Sequence, residues 1–248
     1  MTLIPLSRRM VGVLAFAALS VSLALPAIAR TPPGVLVVGQ ILEAPLKLLH
    51  AMPADKRAAR IDGILDAVNL HAEFLDRYPH EFSGGQAQRI AIARALAAAP
   101  RILVLDEPVS ALDVSMQAQV VNLLARLKDA FDLTYVFISH DLAVVEAVAD
   151  RVAVMYFGRI VELAPARQIF AHPRHHYTAL LARSAPAVGR PLAAPEGADA
   201  ELPDPQNPPR GCAFAKRCPA ATDVCRRVEP PLEDKGSAQY AACHHPAG

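Results

Sequence analysis

Two short segments constrain this chain more than any other part of its sequence. The first is Phe82–Gln86, where Ser83 and two glycines precede a run of helix-forming residues. The free N–H groups and positive dipole end of such a helix face whatever lies before it, and this geometry binds phosphate. The second is the apolar run Ile102–Leu105, followed by Asp106 and Glu107. Carboxylates at a strand end can hold Mg²⁺ and polarise a water beside a phosphate, so the two segments predict an α/β fold that handles nucleotides.

The surrounding sequence predicts regular elements that would position these segments. Four consecutive apolar residues predict a central strand covered on both faces at Ile102–Leu105. The stretch 41–80 is interpreted as helices broken by Pro45 and Pro53. Apolar spacing, β-rich runs and turn residues predict the other elements. These are helices at Gln86–Ala99, Met116–Ala130 and Leu142–Ala149, a strand at Leu133–Ile138, and a hairpin over Val152–Leu163 turning at Gly158.

The order of the motifs resembles that of a known family. The segments Phe82–Gln86, Ile102–Pro108, Ser110–Asp113 and Ser139–Asp141 occur in the order found in ATP-binding subunits of ABC transporters. Any one of these short matches is weak evidence, but their order and spacing together are specific. The resemblance extends from Val38 to the C-terminus. Within the family it is closest to the oligopeptide and dipeptide importers, through the segments Val38–Leu42, Arg77–Phe82 and the cysteines of the tail.

The resemblance implies a P-loop NTPase fold with a helical subdomain, and it gives the motif residues specific roles. Asp106 would hold Mg²⁺ through water and Glu107 would polarise the attacking water. His140 would contact the γ-phosphate, and Asp113 would lie in the loop that crosses a dimer interface. The signature turn would receive the γ-phosphate of an ATP bound to the opposite subunit. It consists of Ser83, Gly84, Gly85 and Gln86, and the glutamine would support the turn.

The resemblance also implies partners and a location. Two such subunits, identical or different, would enclose ATP between them. They would power transmembrane permease subunits from the cytoplasmic face of the inner membrane. Net charge gives no reason to expect nucleic-acid binding, because the formal value is +1, and the absence of tryptophan disfavours a base-stacking surface.

One expected motif is not found in the sequence. No lysine follows a glycine, so the phosphate loop G-x-x-x-x-G-K-[S/T] has no match. The backbone N–H groups and lysine of that loop supply much of the phosphate stabilisation. We therefore expect a truncated P-loop NTPase that is a weak or inactive ATPase by itself. The alternative is a non-catalytic subunit that completes the ATP site of a partner.

Residues 1–35 have a sequence pattern that differs from that of the rest of the chain. Arg8 and Arg9 precede the apolar run Val11–Leu25, which is followed by Ala27–Ala29. This is the layout of a secretory signal peptide. One interpretation is a leader joined to the ATPase sequence by truncation, fusion or a frame change. The other is a secreted, disulfide-bonded remnant, which conflicts with a cytoplasmic ATPase.

The remaining boundaries follow from composition. Residues 36–184 are assigned to a partial ABC ATPase domain, and 185–209, rich in proline and alanine, to a linker. Residues 210–248 form a cysteine-rich extension. His172, His175 and His176, near the end of the ATPase domain, are interpreted as packing and surface residues because no cysteine or carboxylate accompanies them.

All four cysteines of the chain lie in the extension. Clustered cysteines in a cytosolic protein favour a metal over disulfides, but this spacing matches no common zinc or ferredoxin pattern. By resemblance the extension would hold a four-iron, four-sulfur (4Fe–4S) cluster, with zinc or no metal as open alternatives. Arg217, Arg226 and Arg227 would offset the charge of such a cluster. The ligands would be Cys212, Cys218, Cys225 and Cys243.

Overall fold

The computed structural model describes residues 36–184 and 209–248, the backbone of Val11–Phe16, and the isolated positions 204 and 207. The predicted cleavage motif Ala27–Ala29 and most of the predicted linker 185–209 lie outside the described residues. The chain divides into two compact units. One is Val21–Tyr135, and the other combines Met1–Ser20 with Val136–Gly248.

The elements confirm the predicted mixture of helices and strands. Among the described residues, no helix is both long and apolar enough to cross a membrane. In chain order the elements are β1 (Val11–Phe16), α1 (Val38–His50), α2 (Ala54–Ala67), 3₁₀ turns at Ala72–Asp76 and Pro79–Glu81, α3 (Gly84–Ala97), β2 (Ile102–Asp106), α4 (Val114–Ala130), β3 (Thr134–Ser139), α5 (Leu142–Val148), β4 (Arg151–Tyr156), β5 (Arg159–Pro165), α6 (Ala166–Ala171), α7 (His176–Ser184), α8 (Asp223–Arg227), β6 (Glu233–Asp234) and β7 (Tyr240–Ala241).

The unit Val21–Tyr135 contains a helical layer in which α1 and α2 both pack against α3. The predicted break at Pro53 is confirmed, because this residue is the N-cap of α2. The predicted break at Pro45 is wrong, since this proline lies inside α1. A proline removes one helical hydrogen bond. The helix continues through it because Leu42 and Leu46, on either side, are fully buried.

The strand β2 of the same unit is buried on one face only. Leu103 and Leu105 are 8% and 7% exposed, whereas Ile102 and Val104 are 51% and 61% exposed. The expectation of coverage on both faces is therefore wrong. Strand side chains alternate between faces, and a continuous apolar run does not reveal which face is covered. The helix predicted at Met116–Ala130 is confirmed, and four of its apolar residues, spaced at helical intervals, are buried: Val120, Leu123, Leu124 and Leu127.

The second unit is built on a sheet with the strand order β3 (from Val136), β1, β4, β5, β7, β6. The strand β1 pairs in parallel with both β3 and β4. The predicted hairpin is confirmed, since β4 and β5 are antiparallel. Its turn residues Phe157 and Gly158 both have positive φ, at 54° and 76°. Two such residues in sequence form the tight turn whose twist matches that of the flanking strands.

The cysteine-rich extension belongs to this second unit. Its strand β7 pairs antiparallel with β5, which adds the extension to the sheet edge. Phe214, which is 2% exposed, is the main apolar anchor. The centroid of its ring lies 5.5 Å from those of Tyr156 and Tyr177 and 5.9 Å from that of His175. Edge pairing and aromatic packing therefore fix the extension to the rest of this unit.

Candidate functional site

The signature turn is capped by its own side chains. Ser83 is the N-cap of α3, and its Oγ accepts a hydrogen bond from Gln86 N at 3.4 Å. In return, Gln86 Oε1 accepts from Ser83 N at 3.0 Å. This capping box fixes the start of the helix and leaves the N–H groups of Gly84 and Gly85 without an intrahelical acceptor. Ser83 and Gly84 are exposed, so the positive helix end is open to an anion.

The same turn lies beside the start of α4. A Cβ added to Gly85 would overlap Met116 Cε, and one added to Gly84 would lie 3.5 Å from Leu112 Cδ2. Between these two neighbours is Asp113, the N-cap of α4, whose Oδ1 accepts from Met116 N at 2.9 Å. The structure thus brings the signature turn next to the segment that carries Asp113, two motifs separated by about one helix and one strand in sequence.

Asp113 is held in its charged form by local donors. Hydrogen bonds from Met116 N and from Ser115 Oγ lower the pKa of its carboxyl below the usual value of 3.8. The Ser115 Oγ to Asp113 Oδ1 distance is 2.9 Å. A negative cap also interacts favourably with the positive end of the α4 dipole. The side chain therefore has a stable position on an exposed surface.

Arg89 supports the signature helix from its side. Its guanidinium donates to Val68 O at 3.0 Å and to Gln119 Oε1 at 3.3 Å. These bonds join α3 to the end of α2 and to α4. In front of the helix, the rings of Phe74 and Phe82 meet edge to face with centroids 5.3 Å apart. The turn is therefore braced on both sides.

The acidic pair lies at the carboxyl end of β2, as the sequence predicts for a strand end. Asp106 is exposed, and Glu107 adopts a left-handed backbone with φ of 48°. Its carbonyl oxygen accepts a hydrogen bond from Ser110 Oγ at 3.1 Å. A left-handed non-glycine residue costs on the order of 1 kcal/mol, and such residues occur in turns and cluster at functional sites. The strand therefore ends at Asp106, and the chain turns at Glu107.

His140 lies in the second unit and is described within that unit alone. It directly follows β3 and is exposed. The next residue, Asp141, caps α5 by accepting from Ala143 N at 2.9 Å. Asp141 N also donates to Ser139 Oγ at 3.1 Å. The strand end and the helix cap together hold the backbone on both sides of His140.

The four cysteines are brought together, although the first and the last, Cys212 and Cys243, are 31 positions apart in the sequence. All are free thiols, and all four line one small cavity. A backbone bond from Cys212 N to Cys225 O, 2.7 Å long, closes the loop between the first and third. Burial raises the pKa of the thiols of Cys212 and Cys218, and raises that of Cys243 to about 11.

Histidines also line this cavity, and the sequence analysis did not anticipate this. His175 and His176 enter it from the start of α7, and His244 and His245 from the C-terminal segment. The interpretation that no cysteine lies near these histidines is therefore wrong, because His175 and His176 line the same cavity as the four cysteines. The sequence feature that could have indicated histidines near the cysteines is the pair His244 and His245, which directly follows Cys243.

The cysteine arrangement does not suit a single metal ion. Among the residues that the structure describes, no group of three or more His, Cys, Asp or Glu side chains could hold one. The three arginines expected to offset cluster charge are also not among the residues that line the cavity. Arg226 instead pairs with Asp223 at 3.2 Å, and Arg227 Nε donates to Asp223 O. Zinc therefore has no support from the described geometry.

Two family descriptions match this chain. "ABC transporter" matches residues 23–110, which include the signature turn and the acidic pair. "Oligopeptide/dipeptide transporter, C-terminal region" matches residues 161–225, which reach from β5 to the third cysteine. The two matches confirm the family that the motif order indicated.

Curated proteins give the same result. The chain is 50% identical over 84% of its length to the dipeptide transport ATP-binding protein DppF of Haemophilus influenzae. It is 49% identical over 83% of its length to DppF of Escherichia coli, and 45% identical over 82% to the oligopeptide transport ATP-binding protein AppF of Bacillus subtilis. The chain spans less than two thirds of each relative, at 64%, 62% and 63% of their lengths.

Solved structures confirm the fold. A metal-chelate type ABC transporter in an inward-facing conformation matches with a TM-score of 0.56 at 25% identity, over 65% of this chain and 74% of that one. The protein cbiO1 of Clostridium perfringens, part of an ABC transporter complex, matches with a TM-score of 0.55 at 20% identity, over 66% and 80%. The predicted P-loop NTPase fold class is therefore confirmed.

Proposed function

This chain belongs to the ABC transporter ATPases with an oligopeptide/dipeptide transporter C-terminal region, and we propose that it serves as an ATP-binding subunit of a peptide importer. It would act at the cytoplasmic face of the inner membrane, paired with a second ATPase subunit and with permease subunits. The observation that carries this proposal is the open N-terminus of α3 beside the segment of Asp113. That surface can complete a nucleotide site on another chain.

Each motif residue has a proposed role. The N–H groups of Gly84 and Gly85, with Ser83 Oγ, bind the γ-phosphate of a nucleotide held by the partner subunit. Asp113 lines the same surface. Asp106 would hold Mg²⁺, which supplies charge neutralisation at the phosphates, and Glu107 would accept a proton from the attacking water. His140 would donate a hydrogen bond to the γ-phosphate.

We propose that the site this chain completes on a partner's nucleotide differs in competence from the site at its own acidic pair. The signature surface needs only residues that this chain supplies, whereas Asp106, Glu107 and His140 act on a nucleotide that a phosphate loop must hold. The 248-residue chain alone should therefore bind ATP weakly. Isothermal titration with ATP and Mg²⁺ tests this, and tight binding with normal hydrolysis would contradict it.

The second candidate function is a non-catalytic subunit, favoured by the absence of a Gly-Lys pair in the sequence. Mixing the chain with an ATPase subunit that has an intact phosphate loop distinguishes the two. In both cases Ser83→Ala should lower ATPase activity of the mixture, whereas Ser184→Ala, an exposed helix serine, should not. Glu107→Gln lowers it further only if this chain also hydrolyses ATP. A Ser83→Ala mixture with full activity would remove both candidates.

The secreted alternative is tested separately. A reducing compartment would keep the four cysteines as free thiols, whereas secretion would allow them to form disulfides. Cell fractionation combined with thiol labelling gives opposite results for the two locations. A periplasmic chain without labelled thiols would contradict the importer assignment.

We further propose that Cys212, Cys218, Cys225 and Cys243 hold an iron–sulfur cluster. Each thiolate of such a cluster binds a different iron, so the ligands stand further apart than ligands that share one ion. The support for this proposal is that all four cysteines are free thiols and line one small cavity. When bound, the cluster would supply a redox-active or structural centre. Anaerobic purification with absorption spectra and iron analysis tests the proposal, and a colourless, iron-free protein would contradict it.

A further inference from the structure

The side chain of Gln117 joins α4 to the segment that enters this helix. Its Nε2 group donates to Val109 O at 3.1 Å and to Leu112 O at 3.2 Å. Both bonds are partly buried, so they are partly shielded from water. The backbone of Gln117 is fixed as well, because its N–H donates to Asp113 O at 2.8 Å. One side-chain amide therefore supplies two hydrogen bonds to the chain before the helix.

The segment that Gln117 holds connects the acidic pair to Asp113. It starts at Glu107, directly after β2, and ends at Asp113, the N-cap of α4. At its start, Ser110 Oγ donates to Glu107 O at 3.1 Å. The segment belongs to neither a helix nor a strand, so no regular ladder of backbone bonds fixes it. Its position therefore depends on individual bonds such as the two from Gln117.

The same segment contacts the signature turn. A Cβ added to Gly84 would lie 3.5 Å from Leu112 Cδ2, so this leucine packs against the turn. The carbonyl of Leu112 is one of the two acceptors of Gln117. Gly84 and the next residue of the segment, Asp113, are both exposed. A shift of the segment would therefore change the surface that these two residues form.

We propose that Gln117 is a positioning residue for the nucleotide site that this chain completes on a partner subunit. The inference rests on the proposed function, and it adds a residue that lies within α4, outside the motif segments. Gln117 acts through Leu112 and Asp113, which it keeps beside the signature turn. Contacts that form only when the nucleotide is enclosed affect turnover more than they affect ATP binding to the partner's phosphate loop.

Two variants remove the donors of Gln117 in different ways. Gln117→Met keeps a side chain of similar length without a hydrogen-bond donor. Gln117→Glu keeps the shape but presents acceptor oxygens to the two carbonyl groups. Asn122→Asp is the matched control, because it makes the same change from amide to carboxylate at an exposed position of α4. Denaturant unfolding of each full chain establishes that the variants are folded under the assay conditions.

Hydrogen exchange of the full chain, without nucleotide or partner, tests whether Gln117 holds the segment. In both Gln117 variants the amides of residues 107–113 should exchange about threefold to tenfold faster, which is the effect of losing one neutral hydrogen bond. Exchange within α3 should stay unchanged, and Asn122→Asp should match the wild type throughout. Unchanged exchange of residues 107–113 in both Gln117 variants would overturn the inference.

ATPase activity tests the positioning role. Each chain is titrated into an ATPase subunit that has an intact phosphate loop. We expect the plateau at saturating chain to fall about threefold to tenfold in both Gln117 variants, with the KM for ATP within about twofold of the wild-type value. A lower fraction of folded chain would be overcome by adding more chain, whereas incorrect positioning would not. The Asn122→Asp plateau should equal that of the wild type.

Three results of this titration would overturn the positioning role and leave the proposed function standing, provided that Ser83→Ala lowers the activity. They are a wild-type plateau in Gln117→Met, a plateau that more chain restores, and a raised KM with an unchanged plateau. Loss of activity in Gln117→Glu alone falls under the first and assigns the effect to the added charge. A wild-type chain that does not change the partner's activity overturns both the proposed function and this inference.

Discussion

Gln239 of the C-terminal extension donates a hydrogen bond from Nε2 to Oε1 of Glu162 on β5, at 2.7 Å. Both residues are buried, with exposures of 4% and 0%. The same carboxylate accepts from Arg174 N at 2.7 Å and from His175 N at 2.8 Å. One buried acidic group therefore joins the sheet, the loop before α7 and the extension. It also orients the histidine that faces the cysteine cavity.

Replacing Glu162 by Gln should destabilise the second unit. One side of the new amide would place an NH₂ group against an N–H donor, and a buried unsatisfied donor costs about 1–3 kcal/mol. Chemical unfolding of the full chain measures this loss. Glu229→Gln is the matched control, because Glu229 is 41% exposed and pairs with Arg159 at the surface, where ion pairs contribute less than about 1 kcal/mol. Equal losses in the two variants would contradict the central role of Glu162.

Gly211→Ala should prevent the cysteines from assembling. A Cβ at this position would overlap Cys225 O and lie 2.6 Å from Arg226 C, both of them backbone atoms that cannot rotate away. Overpacking of this kind costs about 1–3 kcal/mol. Unfolding and the iron content of the purified chain are the measurements. Gly63→Ala serves as control, since nothing lies within 4 Å of its Cβ and the site is helical. Normal iron content in Gly211→Ala would refute the prediction.

The carboxylate of Asp113 should contribute to the free energy of unfolding in a way that depends on pH. Its folded-state pKa lies below the usual value of 3.8 because of hydrogen bonds to the charged form. The unfolded chain therefore binds the proton first, so the contribution is present above about pH 4 and is lost as pH falls through the lowered pKa. NMR titration should show the Asp113 carboxyl titrating below its usual value of 3.8. As pH falls, the free energy of unfolding should decrease less steeply in Asp113→Asn than in the exposed control Asp62→Asn. Identical pH dependence in the two variants would contradict the proposed effect of the Asp113 cap.

The two faces of β2 should respond differently to truncation. Leu105→Ala removes a side chain that is 7% exposed, and such changes cost about 2–5 kcal/mol. Val104→Ala removes one that is 61% exposed, so the free energy of unfolding should change by less than about 1 kcal/mol. Urea unfolding of the isolated chain compares them directly. Similar losses at both positions would mean that the Val104 face is covered in solution.

Much of the local architecture was predictable because it depends on neighbours in sequence. The cap of α3 needs only Ser83 and Gln86, three residues apart. The buried stripe of α4 follows from the helical period of its apolar residues, and the turn at Gly158 from a glycine between two β-rich runs. The order of these motifs also identified the family. Local hydrogen bonds and periodicity are properties of short segments, so the sequence states them directly.

The sequence by itself determined the motif set, the helices and strands that carry it, and the presence of four clustered cysteines. Only the tertiary structure decided that β1 lies between β3 and β4, that one face of β2 is exposed, and that His175 lines the cysteine cavity. An apolar run such as Val11–Phe16 suits a signal peptide and a sheet strand equally well. Which partner it meets depends on contacts between residues more than one hundred positions apart, and no local pattern encodes them.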